Sequence, residues 1–189
     1  MDLIQRCLSG DREAFAALFQ QYKNLVYRTA CLMLGQAEEA EDVLQEVFVQ
    51  VHRSLHTFQP SRGAFSTWLH RITVNCCLKR RRRRRLAVFS IDRAAPAALS
   101  PAAPSPEERL GEREAVLQAL DHLSDKLRPV VVLRYYLDLS YAEIAQVLDI
   151  PLGTVKSRLS LALKTLRRAL EGTAENVPPP RPSGEEVSA

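Results

Sequence analysis

Two stretches of this 189-residue chain carry cations with no acidic side chain among them. Residues 152–170 contain Lys156, Arg158, Lys164, Arg167 and Arg168, and Lys79–Arg85 is an unbroken basic heptamer. Cations clustered in this way neutralise phosphate and release its counterions, an interaction that is strong but blind to base sequence. Thr154, Ser157 and Ser160 sit among the first of these groups. They add the short donors and acceptors that can meet base edges in a groove. A third cluster has the opposite sign. Asp42, Gln45 and Glu46 fall three and four residues apart, so on a helix they share one face.

The elements that must position these groups can be read from spacing. Ser140 followed by Glu143 is a capping box, which predicts a short helix carrying Ile144, Ala145 and Leu148 inward. Asp149-Ile150-Pro151 ends it, and Pro151 suits the first turn of a second helix. Val155, Leu159, Ala162, Leu163 and Leu166 repeat as its core stripe, leaving Thr154, Lys156, Ser157 and Ser160 to face outward. A short helix, a tight turn and a basic second helix form the arrangement that seats a helix in the major groove.

Upstream, Phe15, Leu18, Phe19, Tyr22, Leu25, Val26 and Leu32 predict one long amphipathic helix, with Gly35 as its C-cap. A second helix is expected from Ala37 to His56, burying Ala40, Val43, Leu44, Val47, Phe48, Val51 and Leu55. Phe58–Gly63 breaks the pattern, and a third helix runs from Phe65 through the arginines. Leu86–Asp92 reads as a short extended piece. Ala94–Pro106 consists of Ala, Pro and Ser except for Leu99, a composition that builds no core and reads as a flexible linker. From Glu107, Leu110, Ala115, Val116, Leu117, Leu120 and Leu123 predict a further helix. Ser124 or Asp125 then caps one that carries Val130, Val131, Leu133 and Tyr136. Val177–Ala189 reads as a disordered tail. No segment alternates with period two, so the expected fold is all-α: two small helical domains, 1–90 and 107–172, joined by the linker 91–106 and followed by the tail 173–189.

Charge is unevenly divided. Residues 1–85 hold 14 Lys/Arg against 8 Asp/Glu, and residues 86–189 hold 12 against 14. Polyanion binding is the leading explanation for the basic first half. Cys7, Cys31, Cys76 and Cys77 form no C-x-x-C pair and have no His at ligand spacing, so buried reduced thiols are expected and no metal or other cofactor. With no leader-like start and no membrane-length apolar run, a cytoplasmic protein without membrane insertion is expected.

Three motifs occur in order: D-V-L-Q-E-V-F at Asp42–Phe48, F-S-T-W-L-H-R-I-T-V-N at Phe65–Asn75, and G-T-V-K-S-R-L at Gly153–Leu159. Together they resemble the small two-domain sigma factors of the extracytoplasmic-function type, over roughly Glu13–Arg85 and Glu107–Leu170. The resemblance implies a non-enzymatic transcription initiation factor that binds core RNA polymerase and promoter DNA. It implies that Asp42, Gln45, Glu46 and Phe48 contact the polymerase, where periodicity alone gives a solvated acidic face. The minus-10 element would be opened and held by Phe58, Arg62, Trp68, Arg71, Asn75, Lys79 and Arg80. From its apolar helix face alone Trp68 reads more readily as a core residue, and the heptamer alone would also fit a nuclear-localisation signal. The minus-35 duplex would be read by Thr154, Lys156, Ser157, Arg158, Ser160 and Lys164. Many relatives carry a basic or aromatic residue where this chain has Ser160 and Leu161. Phosphate clamping and DNA shape should therefore carry more of that recognition. An anti-sigma partner is implied as well. The rival readings are a stand-alone helix-turn-helix regulator, which would need a dimer interface, and an enzyme using Cys76 or Cys77 with a histidine.

Overall fold

The computed structural model describes residues 3–90 and 116–174, and among them every regular element is helical. The first domain contains α1 (Leu3–Leu8), α2 (Arg12–Leu34), α3 (Ala37–Ser54) and α4 (Phe65–Ser90). The second begins with a helical turn at residues 116–121, here α5. It continues through α6 (Arg128–Val131), which runs into a π-helical turn at Val132–Tyr136, and then α7 (Tyr141–Leu148) and α8 (Leu152–Ala174). The linker expected at 91–106 and residues 175–189 lie outside the described residues, as do Leu110 and Ala115; Thr173 and Ala174, expected to open the tail, continue α8.

Local chemistry explains the boundaries. Asp11 starts α2 by accepting hydrogen bonds from the backbone N–H groups of Glu13 and Ala14. Gly35 ends it at φ 79°, in the left-handed region where a Cβ is costly, and donates its N–H to the Cys31 carbonyl. Between α3 and α4 the chain makes two 3₁₀ turns, Leu55–Thr57 and Pro60–Arg62. Gly63 follows at φ 143° and ψ 179°, a conformation essentially reserved for glycine.

Leu18, Val26, Met33, Val43, Val47 and Leu69 form the core of the first domain, and Leu133, Ile144, Val147, Val155, Leu159 and Ala162 that of the second. The two sets join into one continuous buried cluster. The π-helical turn of the second domain packs on α2, and its α7 packs on α4.

Several expectations need correction. α1 has no counterpart in the sequence reading, because one six-residue turn is too short for periodicity to declare itself. α3 stops at Ser54, and His56 lies in the 3₁₀ turn that follows. Residues 86–90 continue α4 instead of extending; Ile91 and Asp92 fall outside the described residues. Leu163 is 44% exposed and is not core, since the second-domain helices cover only the stripe through Val155, Leu159 and Ala162. Tyr136 is exposed, because the wider π-turn rotates it off the inward face. Neither Ser124 nor Asp125 caps α6 with its side chain. Asp125 is instead held by arginines of α4.

Candidate nucleic-acid interface

The helix-turn-helix is built as its sequence implies. Ser140 accepts the Glu143 N–H and Glu143 reciprocates to the Ser140 N–H at 2.8 Å, completing the capping box. The hydroxyl of Ser140 adds a 2.6 Å bond to the same carboxylate, and these Ser140 hydrogen bonds hold the Glu143 pKa below its usual range. Asp149 closes α7 in the left-handed region at φ 52°, where Asp is tolerated better than most side chains. Pro151 then offers its carbonyl to the N–H groups of Thr154 and Val155, opening α8. Lys156, Ser157, Ser160 and Lys164 are exposed along α8, while Thr154 and Arg158 are half-buried. Ser157 donates its hydroxyl back to the Thr154 carbonyl. Lys156, Arg158 and Lys164 form no ion pair among the described residues.

α4 is a different kind of basic helix. Successive side chains advance about 100° at 3.6 residues per turn, so the heptamer divides into stripes. Arg80 and Arg84 turn toward α3, where Arg80 meets Asp42 at 2.6 Å and Glu39 at 3.6 Å and Arg84 meets Glu39 at 3.2 Å. Lys79 reaches Glu46 at 3.3 Å. Arg81 and Arg85 turn the other way and both bind Asp125 of the second domain. Arg82 and Arg83 form no ion pair among the described residues. The heptamer was expected to present a common phosphate-attracting field. Five of its cations instead satisfy carboxylates of the same chain.

One of the two unpaired arginines, Arg82, continues a specific stripe. Trp68, Arg71 and Asn75 recur at three- and four-residue steps, and Lys79 and Arg82 extend the same line. Arg71 and Asn75 are exposed. Trp68 is half-buried in an aromatic cluster, with ring centroids 5.6 Å from Phe65 and 5.8 Å from Phe58. Tyr22 supports Phe65 from α2 at 5.3 Å. Trp68 is thus neither a free platform nor deep core, but part of a wall beside the Phe58–Gly63 loop. The side chain of Arg62 lies outside the described residues.

On α3, Gln45 is exposed and Asp42 is open to solvent while paired to Arg80. Phe48 needs correction as a surface contact. It is 6% exposed and stacks edge-on against Phe15 and Phe19, so its ring belongs to the α2–α3 core.

Sequence reasoning missed the groups joining the domains. Arg128 is 1% exposed. Its Nε donates to the Leu32 carbonyl at 2.6 Å and its guanidinium meets Asp121 at 2.7 Å. Burial lowers its pKa, and the Asp121 hydrogen bond opposes that shift. Burial also works against the charge on Asp125, but the hydrogen bonds from Arg81 and Arg85 outweigh it and hold that carboxyl low. His70 of α4 is 6% exposed with both ring nitrogens unpartnered. Burial pushes its pKa down to about 4, against a small upward pull from Glu143 of α7. No local pattern could have announced these contacts, since Arg128 and Leu32 are 96 residues apart.

The adjacent cysteines of α4 offer no ready nucleophile. Cys76 and Cys77 are buried, and burial raises both thiol pKa values, that of Cys76 to about 11. Cys7 and Cys31 are only half-buried, against the expectation of burial. Among the described residues no group of side chains could hold a metal ion, and no helix is long and apolar enough to cross a membrane.

Comparison with known proteins decides what this assembly is. Sigma-70 region 2 matches residues 18–87 and sigma-70 region 4 matches residues 113–166. The ECF RNA polymerase sigma factor SigW of Bacillus subtilis is 33% identical over 177 residues, covering 88% of this chain and 94% of that protein. The chain belongs to the extracytoplasmic-function sigma factors. SigE of Mycolicibacterium smegmatis, of the same group, is 39% identical over 168 residues, covering 84% of this chain and 63% of that one. In fold, the chain is similar to the sigma factor RpoE of Bartonella quintana, solved with its anti-sigma factor NepR. The TM-score is 0.68 at 23% identity, covering 83% of this chain and 96% of that one.

This sigma factor is therefore a promoter-recognition subunit that works with core RNA polymerase and has no enzymatic step of its own. Regions 2 and 4 in order within one chain set aside the stand-alone regulator, and the raised thiols set aside the cysteine enzyme.

Proposed function

We propose that this sigma factor divides its work among three faces. Asp42, Gln45 and Glu46 on α3 meet core RNA polymerase. Arg71 and Asn75, beside the Phe58–Trp68 wall and the loop holding Arg62, receive the opened minus-10 strand, with Lys79 and Arg80 behind them. Thr154, Lys156, Ser157, Arg158, Ser160 and Lys164 on α8 read the minus-35 duplex. The working limits are 1–90 for the first domain and 107–172 for the second. Cytoplasmic location and control by an anti-sigma factor, as in the Bartonella quintana complex, belong to the same reading.

One observation carries it. Asn75 and Arg71 are exposed in line with the unpaired Arg82 and beside an aromatic wall. An extruded base needs a polar edge reader and a stacking surface, and its backbone needs cations. Asn75→Ala should lower open-complex formation by roughly 1–3 kcal/mol while leaving closed-complex affinity nearly intact. On a pre-melted minus-10 bubble the defect should shrink. Permanganate footprinting beside band-shift titration separates the two steps. Thymines as reactive with Asn75→Ala as with the unmodified chain would remove Asn75 from the pocket.

A further inference from the structure

A cleft of about 690 Å³ opens between α1, the N-terminal part of α2 and the end of α3. Its making is local. Gly10, at φ 85°, turns the chain between α1 and α2. Asp11 fastens the turn: its carboxylate accepts from the Arg6 guanidinium at 2.8 Å, and its N–H donates to the Arg6 carbonyl. α1 is thereby laid against α2 as a wall. None of its six residues is fully buried, and Leu8 lines the cleft while 43% exposed. The other side is aromatic. Phe15 and Phe19 rest edge-on against the buried Phe48, and His52 stands edge-on to Phe15 with centroids 5.2 Å apart. Leu55, in the 3₁₀ turn after α3, completes the lining on that side.

The polar groups around this apolar bed favour one sign of charge. Arg12, His52 and His56 are exposed at its edge, and none forms an ion pair among the described residues. The one acid of the lining, Asp11, is already engaged by Arg6 at 2.7 Å and by the N–H groups of Glu13 and Ala14. A guanidinium and two imidazoles beside aromatic rings suit a ligand with an apolar body and an anionic end. The volume lies within the range of about 300–1,000 Å³ usual for small-molecule sites, which likewise join a mostly apolar lining to a few polar groups. Its length argues the same way. Arg12 and Gln20, the ends of the α2 lining, are about 12 Å apart along the axis at 1.5 Å per residue. That matches a two-ring molecule, whereas eight residues of extended peptide span about 26 Å.

We propose that this cleft is a binding site for a small aromatic carboxylate. The rings lie between Leu8 and the Phe15–Phe19 pair, and the Arg12 guanidinium holds the carboxylate, with His52 and His56 as further donors. None of the lining residues belongs to the three faces proposed above, so the site is additional to the polymerase and promoter contacts and stands without them. Occupancy joins α1 to the α2–α3 pair, and a ligand bound only by the folded chain stabilises it by mass action.

The test titrates the full chain with naphthalene-1-acetate, a two-ring carboxylate, and with naphthalene-1-acetamide, its uncharged twin of the same shape. Calorimetry should give one saturable site for the acid. The amide should bind at least about tenfold more weakly, because a charge-assisted hydrogen bond is about twice as strong as a neutral one. Arg12→Gln should bring the acid down to the level of the amide. Ala16→Trp fills the cleft from an exposed position of α2 and should abolish binding of both, with circular dichroism confirming that the helices persist. In two-dimensional NMR the amide shifts caused by the acid should gather at residues 7–20 and 52–56. Equal affinity for acid and amide, or an acid affinity untouched by Arg12→Gln, would overturn the carboxylate assignment. No saturable binding of the acid, binding that survives in a folded Ala16→Trp, or shifts gathered on α4 or α8 would overturn the site itself.

Discussion

Lys79–Arg85 on α4 packs seven cations into two turns, and α8 spreads five over residues 156–168, yet the denser run has less charge to spare. Five of the seven are matched to Glu39, Asp42, Glu46 and Asp125. On α8, Lys156, Arg158 and Lys164 pair with no acid among the described residues. Charge counted along a sequence is thus a poor measure of charge available to a partner. The two helices are also held differently. α4 is gripped by α2, α3 and α7 and by ion pairs on two sides, whereas α8 is set by a capped neighbour, a tight turn and one apolar stripe.

The largest expected consequence lies on the gripped helix, at His70. Its folded pKa of about 4 lies below the ordinary histidine value of about 6.5. Between those values the unfolded chain binds a proton that the folded chain refuses, so stability rises with pH and is lost as pH falls through this window. Unfolding by urea at about pH 7 and about pH 5 should differ by roughly 2 kcal/mol from this group, at 1.36 kcal/mol per pKa unit. His70→Gln should flatten the difference. An equally steep loss in that variant would mean that His70 is not the residue excluding the proton.

The cations themselves come next. If Arg82 and Arg83 are the free charges of the run, replacing both with Gln should flatten the log–log salt dependence of promoter binding by about two. Affinity should then fall about tenfold less between about 50 and about 200 mM salt. Arg80→Gln with Arg84→Gln, which removes cations already matched to Glu39 and Asp42, should change the slope by less than one. Relative preference among promoters should stay put in both. Equal slopes for the two double variants would erase the distinction between paired and unpaired arginines.

What the sequence made legible follows the same division. The capping box at Ser140, the turn at Asp149–Pro151 and the outward Lys156, Ser157 and Ser160 are local, fixed by neighbours within one or two helical turns, and they stand as read, whereas Thr154, read as outward with them, is half-buried. Asn75 and Arg71 share an exposed stripe for the same reason. Spacing put Phe48 inward while the resemblance put it at the polymerase, because one motif mixes core and surface positions, and its packing on Phe15 and Phe19 decides for the core. Leu163 was misplaced because a hydrophobic stripe shows what could be buried, not how wide the covering surface is. The pairing of α4 with Glu39, Glu46 and Asp125 was invisible, since those partners lie 33 to 45 residues away.

The smallest effect probes the other helix. If α8 is positioned by caps and not by ion pairs, Ser140→Ala should cost about 1 kcal/mol of stability, the usual value of an N-cap side chain. That cost should stay nearly constant from about 0.1 to about 1 M salt, because hydrogen bonds within one turn are not screened as separated charges are. The α4 network should lose much of its coupling over the same range. Double-mutant cycles on Arg84 and Glu39 would show it. Ser140→Ala should also let the Glu143 pKa rise toward its ordinary value, since the Ser140 hydroxyl is the largest cause of its depression. The sign is that of a lowered carboxyl: its stabilisation is present above the unfolded pKa and disappears as pH falls through the folded one. Carboxyl-detected NMR titration follows that shift directly. A Ser140→Ala cost that vanished in high salt would mean that α7, and with it α8, is held by charge after all, and the contrast between the two basic helices would be lost.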